Sequence, residues 1–147
     1  MVSFLKKYKR ETFFSSITLL VLILDQLTKH LVEVFKPQLE WGFLAIRYIQ
    51  NTGAGFGILK NQTVMLTVIS FLVALGVILM YKKIPREKIP QTLFAVFLGG
   101  VLGNFVDRLF RNYVIDFINL SFWPAFNIAD AAISAAVIGL VIYFWRE

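Results

Sequence analysis

Long apolar stretches alternate with short charged ones along this chain of 147 residues. Four of these stretches, at about 13–32, 63–81, 90–107 and 124–145, approach the roughly 20 residues that a helix needs to cross a hydrocarbon core ~30 Å thick. A soluble domain of this size would be less apolar and would spread its charges along the chain. The pattern therefore predicts an all-α membrane protein, a single domain over residues 1–147, with four transmembrane helices.

The segment that joins the first apolar stretch to the second is unusually apolar for a loop. The alternation around Phe43–Ile49 is typical of one or two short β-strands. We therefore expect a small extracytoplasmic β-rich segment that lies on the membrane surface.

Basic residues cluster at two places that fall on the same side of the membrane if each apolar stretch spans it. These residues are Lys6, Lys7, Lys9 and Arg10 before the first stretch, and Lys82, Lys83, Arg86 and Lys88 between the second and third. Cytoplasmic loops carry such an excess of Lys and Arg, so we expect both termini to be cytoplasmic and segments 33–62 and 108–123 to lie outside. Because these flanks hold much of the net charge of +6, the basic balance does not indicate nucleic-acid binding.

A cleavable secretory signal is the alternative interpretation of the first apolar stretch. Its charged region would run from Lys6 to Arg10 and its apolar region from Ile17 to Leu24. Against this alternative, Asp25 and Lys29 interrupt the place where a cleavage site between small residues should lie. We therefore interpret the stretch as a membrane-spanning helix.

Composition excludes several kinds of catalytic site. The chain has no cysteine and a single histidine, His30, which rules out a thiol nucleophile and argues against thiolate or His-rich metal sites. Any catalysis must come from carboxylates, hydroxyls, lysine or backbone groups. We expect no metal and no cofactor.

The four aspartates and three of the asparagines fall at one predicted depth, the outer end of the helices. They are Asp25, Asp107, Asp116 and Asp130, with Asn51, Asn104 and Asn127. Carboxylates within a membrane are expensive and indicate a functional site. The alternative is that these groups only hydrogen-bond helices to one another, which explains single residues better than so many at one level.

Two carboxylates held close together have a specific chemistry. Like charges a few ångström apart do not both ionise easily, so the pair shares a proton near neutral pH. One member can then act as a base on water while the other protonates a carbonyl oxygen. Asp116 and Asp130 flank the start of the fourth predicted helix, although their spacing leaves open whether they meet.

Five motifs in order along the chain resemble those of lipoprotein signal peptidase, also called signal peptidase II. They are Asp25-Gln26-Leu27-Thr28-Lys29, Asn51-Thr52-Gly53-Ala54-Gly55-Phe56-Gly57, Gly99-Gly100-Val101-Leu102-Gly103-Asn104-Phe105-Val106-Asp107-Arg108, Val114-Ile115-Asp116-Phe117 and Phe126-Asn127-Ile128-Ala129-Asp130. Each motif alone is weak, but the ordered set is specific and, with the four apolar stretches, covers nearly the whole chain.

The resemblance implies an aspartic endopeptidase in which Asp116 and Asp130 are the catalytic dyad. It also implies a set of residues that bind substrate or support the site: Asp25, Lys29, Asn51, Gly55, Asn104, Arg108 and Asn127. Asn104 and Asn127 would orient the dyad or the substrate backbone, and Arg108 would tie down the neighbouring loop. Gly55 stands where the family pattern usually has a second alanine.

The substrate that the resemblance implies is a prolipoprotein whose cysteine carries diacylglycerol, cut just before that cysteine. The expected location is the bacterial cytoplasmic (inner) membrane, with the active site towards the outer face. Membrane lipid is the other expected partner, and a monomer suffices. Two other functions stay open on the residues alone: a small proton- or cation-coupled transporter, and a scaffold with buried polar contacts.

Overall fold

The computed structural model describes residues 8–54 and 59–146. In chain order, the elements are α1 (Lys9–Phe35), β1 (Gln38–Trp41), β2 (Leu44–Asn51), α2 (Thr63–Leu79), α3 (Lys88–Arg111), β3 (Val114–Leu120), β4 (Trp123–Phe126) and α4 (Ile128–Trp145), with a short 3₁₀ turn at Tyr81–Lys83 between α2 and α3. The protein is therefore mostly helical, with a small sheet at one end of the helices.

Helix α3 lies at the centre of the bundle and packs against α1, α2 and α4. Glycines permit this close approach. A Cβ atom at Gly99 would lie 2.7 Å from Cβ of Val21 on α1, and one at Gly100 would lie 2.6 Å from the carbonyl oxygen of Ala129 on α4. The small residues of α3 therefore permit close packing against two neighbouring helices.

The outer faces of the helices are strongly apolar. Large side chains with about half or more of their surface exposed run along α1, α2 and α4, among them Leu19, Leu20, Ile23, Val64, Leu72, Ile78, Ile138 and Val141. An exposed apolar surface of this extent marks contact with a partner or a membrane. Within the described ranges, Lys88–Arg111 and Ile128–Trp145 are long and apolar enough to cross a bilayer, and Thr63–Leu79 is a shorter apolar helix.

The four strands form one antiparallel sheet in the order β1-β2-β3-β4. Strands β1 and β2 lie in the segment that was predicted to contain one or two strands. Strands β3 and β4 come from the connection before α4, for which no strand was predicted. Asp116, expected in the outer segment 108–123, therefore lies on a central strand opposite Ile49 of β2.

Several helix ends differ from the predicted bounds, and two of these differences affect the acidic end of the molecule. Helix α4 begins at Ile128, not near residue 124, because Trp123–Phe126 pairs with β3 and Asn127 caps the helix. Helix α3 continues to Arg111, one turn beyond the predicted end at 107, and stops where Asn112 adopts a left-handed conformation with φ of 63°. Arg108, expected in the outer connection, consequently lies in the last turn of α3, where a basic side chain complements the helix dipole.

Candidate active site

The sheet brings together the ends of the helices that carry the acidic residues. The C-terminal ends of α1 and α3, the N-terminal end of α4 and the centre of the sheet all lie at one end of the molecule. Asp116 from β3 and Asp130 from α4 line the same cavity, which has a volume of about 220 Å³. Its other lining residues are Asn51, Gly53, Ala54, Arg108, Val114, Trp123, Pro124, Ala125, Phe126, Ile133 and Ser134.

Asp130 is held by the first turn of α4. The side-chain oxygen of Asn127 accepts from the backbone N–H of Asp130 at 2.9 Å, and Oδ2 of Asp130 accepts from the backbone N–H of Asn127 at 3.3 Å. This reciprocal pair is a capping box. It places the Asp130 carboxylate against the positive end of the helix dipole, which favours negative charge.

Each carboxylate accepts hydrogen bonds from asparagine amides. Asp116 accepts from Nδ2 of Asn127 at 2.8 Å through Oδ1, and from Nδ2 of Asn51 at 2.9 Å through Oδ2. Asp130 accepts from Nδ2 of Asn104 at 2.7 Å through Oδ1. Because Asn127 also donates to Oδ1 of Asn104 at 3.2 Å, one network of amides joins the two carboxylates and restricts their rotation.

The environment of Asp116 favours its protonated form. Burial, followed by the negative charge of Asp130, raises the pKa of Asp116 from 3.8 to about 7, against the opposing effect of the amides of Asn51 and Asn127 and of the charge of Lys29. Its residue surface is 2% exposed. A carboxyl pKa near neutrality is what general acid–base catalysis requires.

A second acidic cluster lies directly behind the first, between α1 and α3. The ammonium of Lys29 contacts Asp25 at 2.7 Å, Asp107 at 2.9 Å and Oδ1 of Asn104 at 3.1 Å. The side chains of Lys29, Asp25 and Asp107 are completely buried. Two carboxylates and one ammonium thus share an interior that is not accessible to solvent, where such charges are tolerated when they are paired and hydrogen-bonded.

This arrangement can be compared with known proteins. A protein-family model described as signal peptidase (SPase) II matches residues 17–146. The chain belongs to the signal peptidase II family.

Relatives of this family member support the assignment. It is 38% identical to a lipoprotein signal peptidase of Moorella thermoacetica over 139 residues, which is 90% of this chain and 91% of the relative. It is also 38% identical to a lipoprotein signal peptidase of Lactobacillus johnsonii over 143 residues, covering 91% of this chain and 92% of the relative.

Its fold is similar to that of two solved structures described as bacterial membrane enzymes. The first superposes with a TM-score of 0.83 at 28% identity, covering 90% of this chain and 87% of that one. The second superposes with a TM-score of 0.81 at 28% identity, covering 91% of this chain and 93% of that one. This peptidase therefore shares the fold of both bacterial membrane enzymes along nearly its whole length.

Two of the residues that the resemblance implicated stand apart from the amide network. Arg108 of this signal peptidase II lines the cavity, and its Nη1 donates to the hydroxyl of Ser70 on α2 at 3.3 Å. That hydrogen bond goes to a helix and not to the neighbouring loop that the resemblance implied. Gly55 lies outside the described residues, although the start of its segment is held by a bond from the Gly53 N–H to Oδ1 of Asn51 at 2.9 Å.

Sequence reasoning missed Gln26 and Arg111 as members of the cluster behind the cavity. Gln26 donates to Oδ2 of Asp25, to Oδ1 of Asp107 and to the backbone of α3, and Arg111 donates to Oδ1 of Asp107 at 2.9 Å. The spacing of four residues between Asp107 and Arg111 is a signal for such a pair on a helix. It went unused because α3 was predicted to end at residue 107.

Proposed function

We propose that this protein is an aspartic endopeptidase that removes the signal peptide from diacylglyceryl-modified prolipoproteins, cutting just before the lipid-modified cysteine. Membership of the signal peptidase II family supports the peptidase activity. The observation that carries the aspartic mechanism is that Asp116 and Asp130 line one cavity and share Asn127, whose side-chain amide donates to Asp116 and whose backbone N–H donates to Asp130. Such a pair needs no nucleophilic side chain, in a chain that has no cysteine.

In the proposed reaction the dyad begins with one shared proton, carried by Asp116. Asp130, ionised at the start of α4, removes a proton from a water molecule as its oxygen attacks the scissile carbonyl carbon. Asp116 donates its proton to the carbonyl oxygen, which forms a tetrahedral diol. Collapse of the diol breaks the C–N bond, the leaving nitrogen takes the proton held by Asp130, and a diol hydroxyl returns its proton to Asp116. One water is consumed, and a carboxyl group and an amine are released.

The four helices are proposed to cross the membrane. Helix α2 has 17 residues and would extend about 26 Å at 1.5 Å per residue, close to the thickness of a hydrocarbon core. Helix α1 carries Asp25 and Lys29, but both are buried against α3 and do not face lipid. Its outward side chains are apolar. A charged residue that is buried inside the bundle does not prevent a helix from spanning.

The charges at the other end of the helices support an orientation. Basic residues collect around the turn between α2 and α3 and at the start of α1, opposite the sheet: Lys9, Arg10, Lys82, Lys83, Arg86 and Lys88. By the positive-inside rule that end is cytoplasmic. The sheet and the dyad then lie towards the outer face of the bacterial cytoplasmic membrane, both termini lie inside, and a monomer contains the complete site.

The lining of the cavity suits a substrate that carries lipid. Trp123, Phe126 and Ile133 contribute apolar surface beside the carboxylates. Apolar side chains of α4 that face away from the bundle, such as Val137 and Val141, are exposed along the same helix. A diacylglyceryl group can therefore stay in the bilayer while the peptide bond reaches Asp116 and Asp130.

Cleavage by the purified protein in detergent is the direct test. A prolipoprotein with a diacylglyceryl cysteine is incubated with the enzyme and a metal chelator, and the products are identified by mass spectrometry. We expect a signal peptide with a new carboxylate and a mature protein that begins at the modified cysteine. The same prolipoprotein without diacylglycerol is the control. Failure to cut the lipid-modified form, or loss of cutting with chelator, would contradict the proposal.

The pKa of Asp116 predicts a pH dependence. Asp116 must hold a proton to protonate the carbonyl oxygen, so turnover should be lost as the pH rises through about 7, where this raised pKa lies. The measurement is kcat against pH in detergent, with stability recorded at each pH. A constant kcat from pH 6 to pH 9 would show that Asp116 does not act as the acid.

The two other functions weighed from the sequence find less support. The relatives cited above are lipoprotein signal peptidases, and the transporter alternative is not supported. A scaffold would need the carboxylates only as contacts between helices. The cavity argues against this, because Asp116 and Asp130 line open space as well as bonding to asparagines.

A further inference from the structure

Asp25 and Asp107 each bind the backbone beside a catalytic aspartate. Oδ1 of Asp25 accepts from the N–H of Ala129 at 2.9 Å, and Ala129 directly precedes Asp130. Oδ2 of Asp107 accepts from the N–H of Ile115 at 3.2 Å, and Ile115 directly precedes Asp116. The two buried carboxylates outside the dyad therefore repeat one arrangement, each one residue away from a member of the dyad.

Lys29 joins these two arrangements. Its ammonium contacts Oδ2 of Asp25 and Oδ2 of Asp107, at 2.7 and 2.9 Å. Since an ammonium only donates hydrogen bonds, it also fixes which way the Asn104 amide faces. Oδ1 of Asn104 points to Lys29 at 3.1 Å, and its Nδ2 is left to donate to Asp130 at 2.7 Å.

We propose that Asp25, Lys29 and Asp107 form a positioning clamp that sets the separation and orientation of the two catalytic carboxylates. The proposal rests on the dyad function given above. Asp107 binds the backbone of β3 at Ile115, and Asp25 binds the backbone of α4 at Ala129. Lys29 connects the two contacts because it pairs with both carboxylates. Its members are positioning residues, since none of the three lines the cavity.

The burial of the clamp makes it rigid. All three side chains are shielded from water, so the ion pairs are neither screened nor exchanged with solvent. Ile115 and Ala129 are themselves completely buried. If a carboxylate moved away, their N–H groups would be left without a hydrogen-bond acceptor, which is unfavourable. A change in the clamp is therefore transmitted to the dyad through two backbone hydrogen bonds.

Lys29→Met is the informative variant, because methionine is unbranched, is shorter than lysine by only the terminal nitrogen, and removes the charge. We expect kcat to fall about a hundredfold, the usual consequence of displacing reacting groups by about 1 Å, while KM for the diacylglyceryl prolipoprotein stays unchanged. Thr18→Val is the matched control. It removes a buried hydrogen bond between α1 and α3, to the carbonyl of Ala95 at 3.1 Å, and should leave kcat unchanged.

The pH profile gives a readout that loss of packing alone would not produce. Asp116 is surrounded by Asp130, the amides of Asn51 and Asn127, the guanidinium of Arg108, and Lys29 behind them. Burial and Asp130 raise its pKa, and the charge of Lys29 lowers it. Removing that charge raises the pKa further, so the pH above which turnover is lost should move upwards in Lys29→Met and stay in place in Thr18→Val.

A second variant separates positioning from folding. The double variant Lys29→Met with Asp25→Asn keeps the charge balance and keeps an oxygen for the Ala129 N–H, so it should fold even if Lys29→Met alone does not. We expect its kcat to be low as well, because Asn104 and Asp107 have lost Lys29. A folded variant of either kind with less than about a tenfold loss of kcat, or failure of both to fold, would overturn the clamp.

The dyad variants keep the two proposals distinguishable. If Asp116→Asn and Asp130→Asn still cleave the prolipoprotein, the aspartic mechanism fails, and the clamp fails with it. If both are inactive while Lys29→Met turns over like the wild type, the dyad stands and the clamp alone is wrong.

Discussion

Asp130→Asn and Asp116→Asn are each expected to lower kcat by about 10⁴-fold, the upper range for loss of a general acid or base. An amide cannot take a proton from water at neutral pH, and it cannot donate one to a carbonyl oxygen as an acid does. Because each carboxylate takes part in both proton transfers of the proposed mechanism, the loss should be similar at either position. The measurement is cleavage of a diacylglyceryl prolipoprotein over hours, to capture residual turnover.

The double variant sharpens this prediction. Groups that act as one unit are strongly non-additive, so Asp116→Asn with Asp130→Asn should be no slower than either single variant. Glu40→Gln is a suitable control, since Glu40 lies at the same end of the molecule and pairs with Arg47 on the surface of the sheet. Its kcat should match the wild type. Additive losses in the double variant would mean that the two aspartates act independently, which a dyad with one shared proton does not allow.

The substitution Asp116→Asn should stabilise the folded protein. The folded state holds the pKa of Asp116 at about 7, above its ordinary value of 3.8, so it binds more protons than the unfolded state between these values. The free energy of unfolding therefore falls as the pH rises from about 4 to about 7, by at most ~4 kcal/mol. Asparagine removes this penalty but gives up one amide hydrogen bond, worth about 1 kcal/mol.

Thermal unfolding of Asp116→Asn in detergent measures this gain. We expect a higher Tm than the wild type at pH 8, and no gain at pH 4, where the wild-type carboxyl is already protonated. A variant that is inactive yet more stable at pH 8 would show that the site keeps Asp116 at a cost in stability. A lower Tm at pH 8 would contradict the raised pKa.

Gly100→Ala is expected to impair both stability and turnover. A Cβ atom there would lie 2.6 Å from the carbonyl oxygen of Ala129 and 3.3 Å from the backbone nitrogen of Ile133. These are backbone atoms of α4, so the clash is relieved only if that helix moves away from α3. Such overpacking costs about 1–3 kcal/mol. The shift carries Asp130 away from Asn104, and kcat should fall about a hundredfold.

Gly76→Ala is the matched control on another helix. A Cβ atom at Gly76 would meet nothing within 4 Å, so alanine adds helix propensity worth up to about 1 kcal/mol without a clash. We expect an unchanged kcat and an equal or higher Tm. If Gly100→Ala behaves like Gly76→Ala in activity and Tm, the close contact between α3 and α4 does not control the dyad.

Much of the helical framework could be predicted from the sequence, because it depends on local properties. Long apolar runs identify helices whose faces are buried or lie against lipid, and all four predicted stretches overlap α1 to α4. Prediction failed where a short segment had a partner far away. Residues 124–126 were assigned to the fourth helix, yet they belong to strand β4, which pairs with β3. The pairing of β3 with β2 in turn joins segments more than 60 residues apart.

The residues of the candidate site could also be predicted from the sequence, but the contacts between them could not. The rarity of Asp and Asn in an apolar chain marks Asp25, Asp116 and Asp130 by composition, and their order along the chain indicates the family. Nothing in that order pairs Asn51 with Asp116, 65 residues away, or Asp25 with the backbone of Ala129, 104 residues away.

The sequence by itself determined the class of the protein, the number of its long helices and the residue types available for catalysis, because each follows from hydropathy and composition. The tertiary structure alone decided that Asp116 and Asp130 line one cavity and that Lys29 pairs with two further buried carboxylates, Asp25 and Asp107. The physical reason is that hydrogen bonds between distant segments depend on how helices pack and how strands align. Such contacts leave no periodic pattern in the chain.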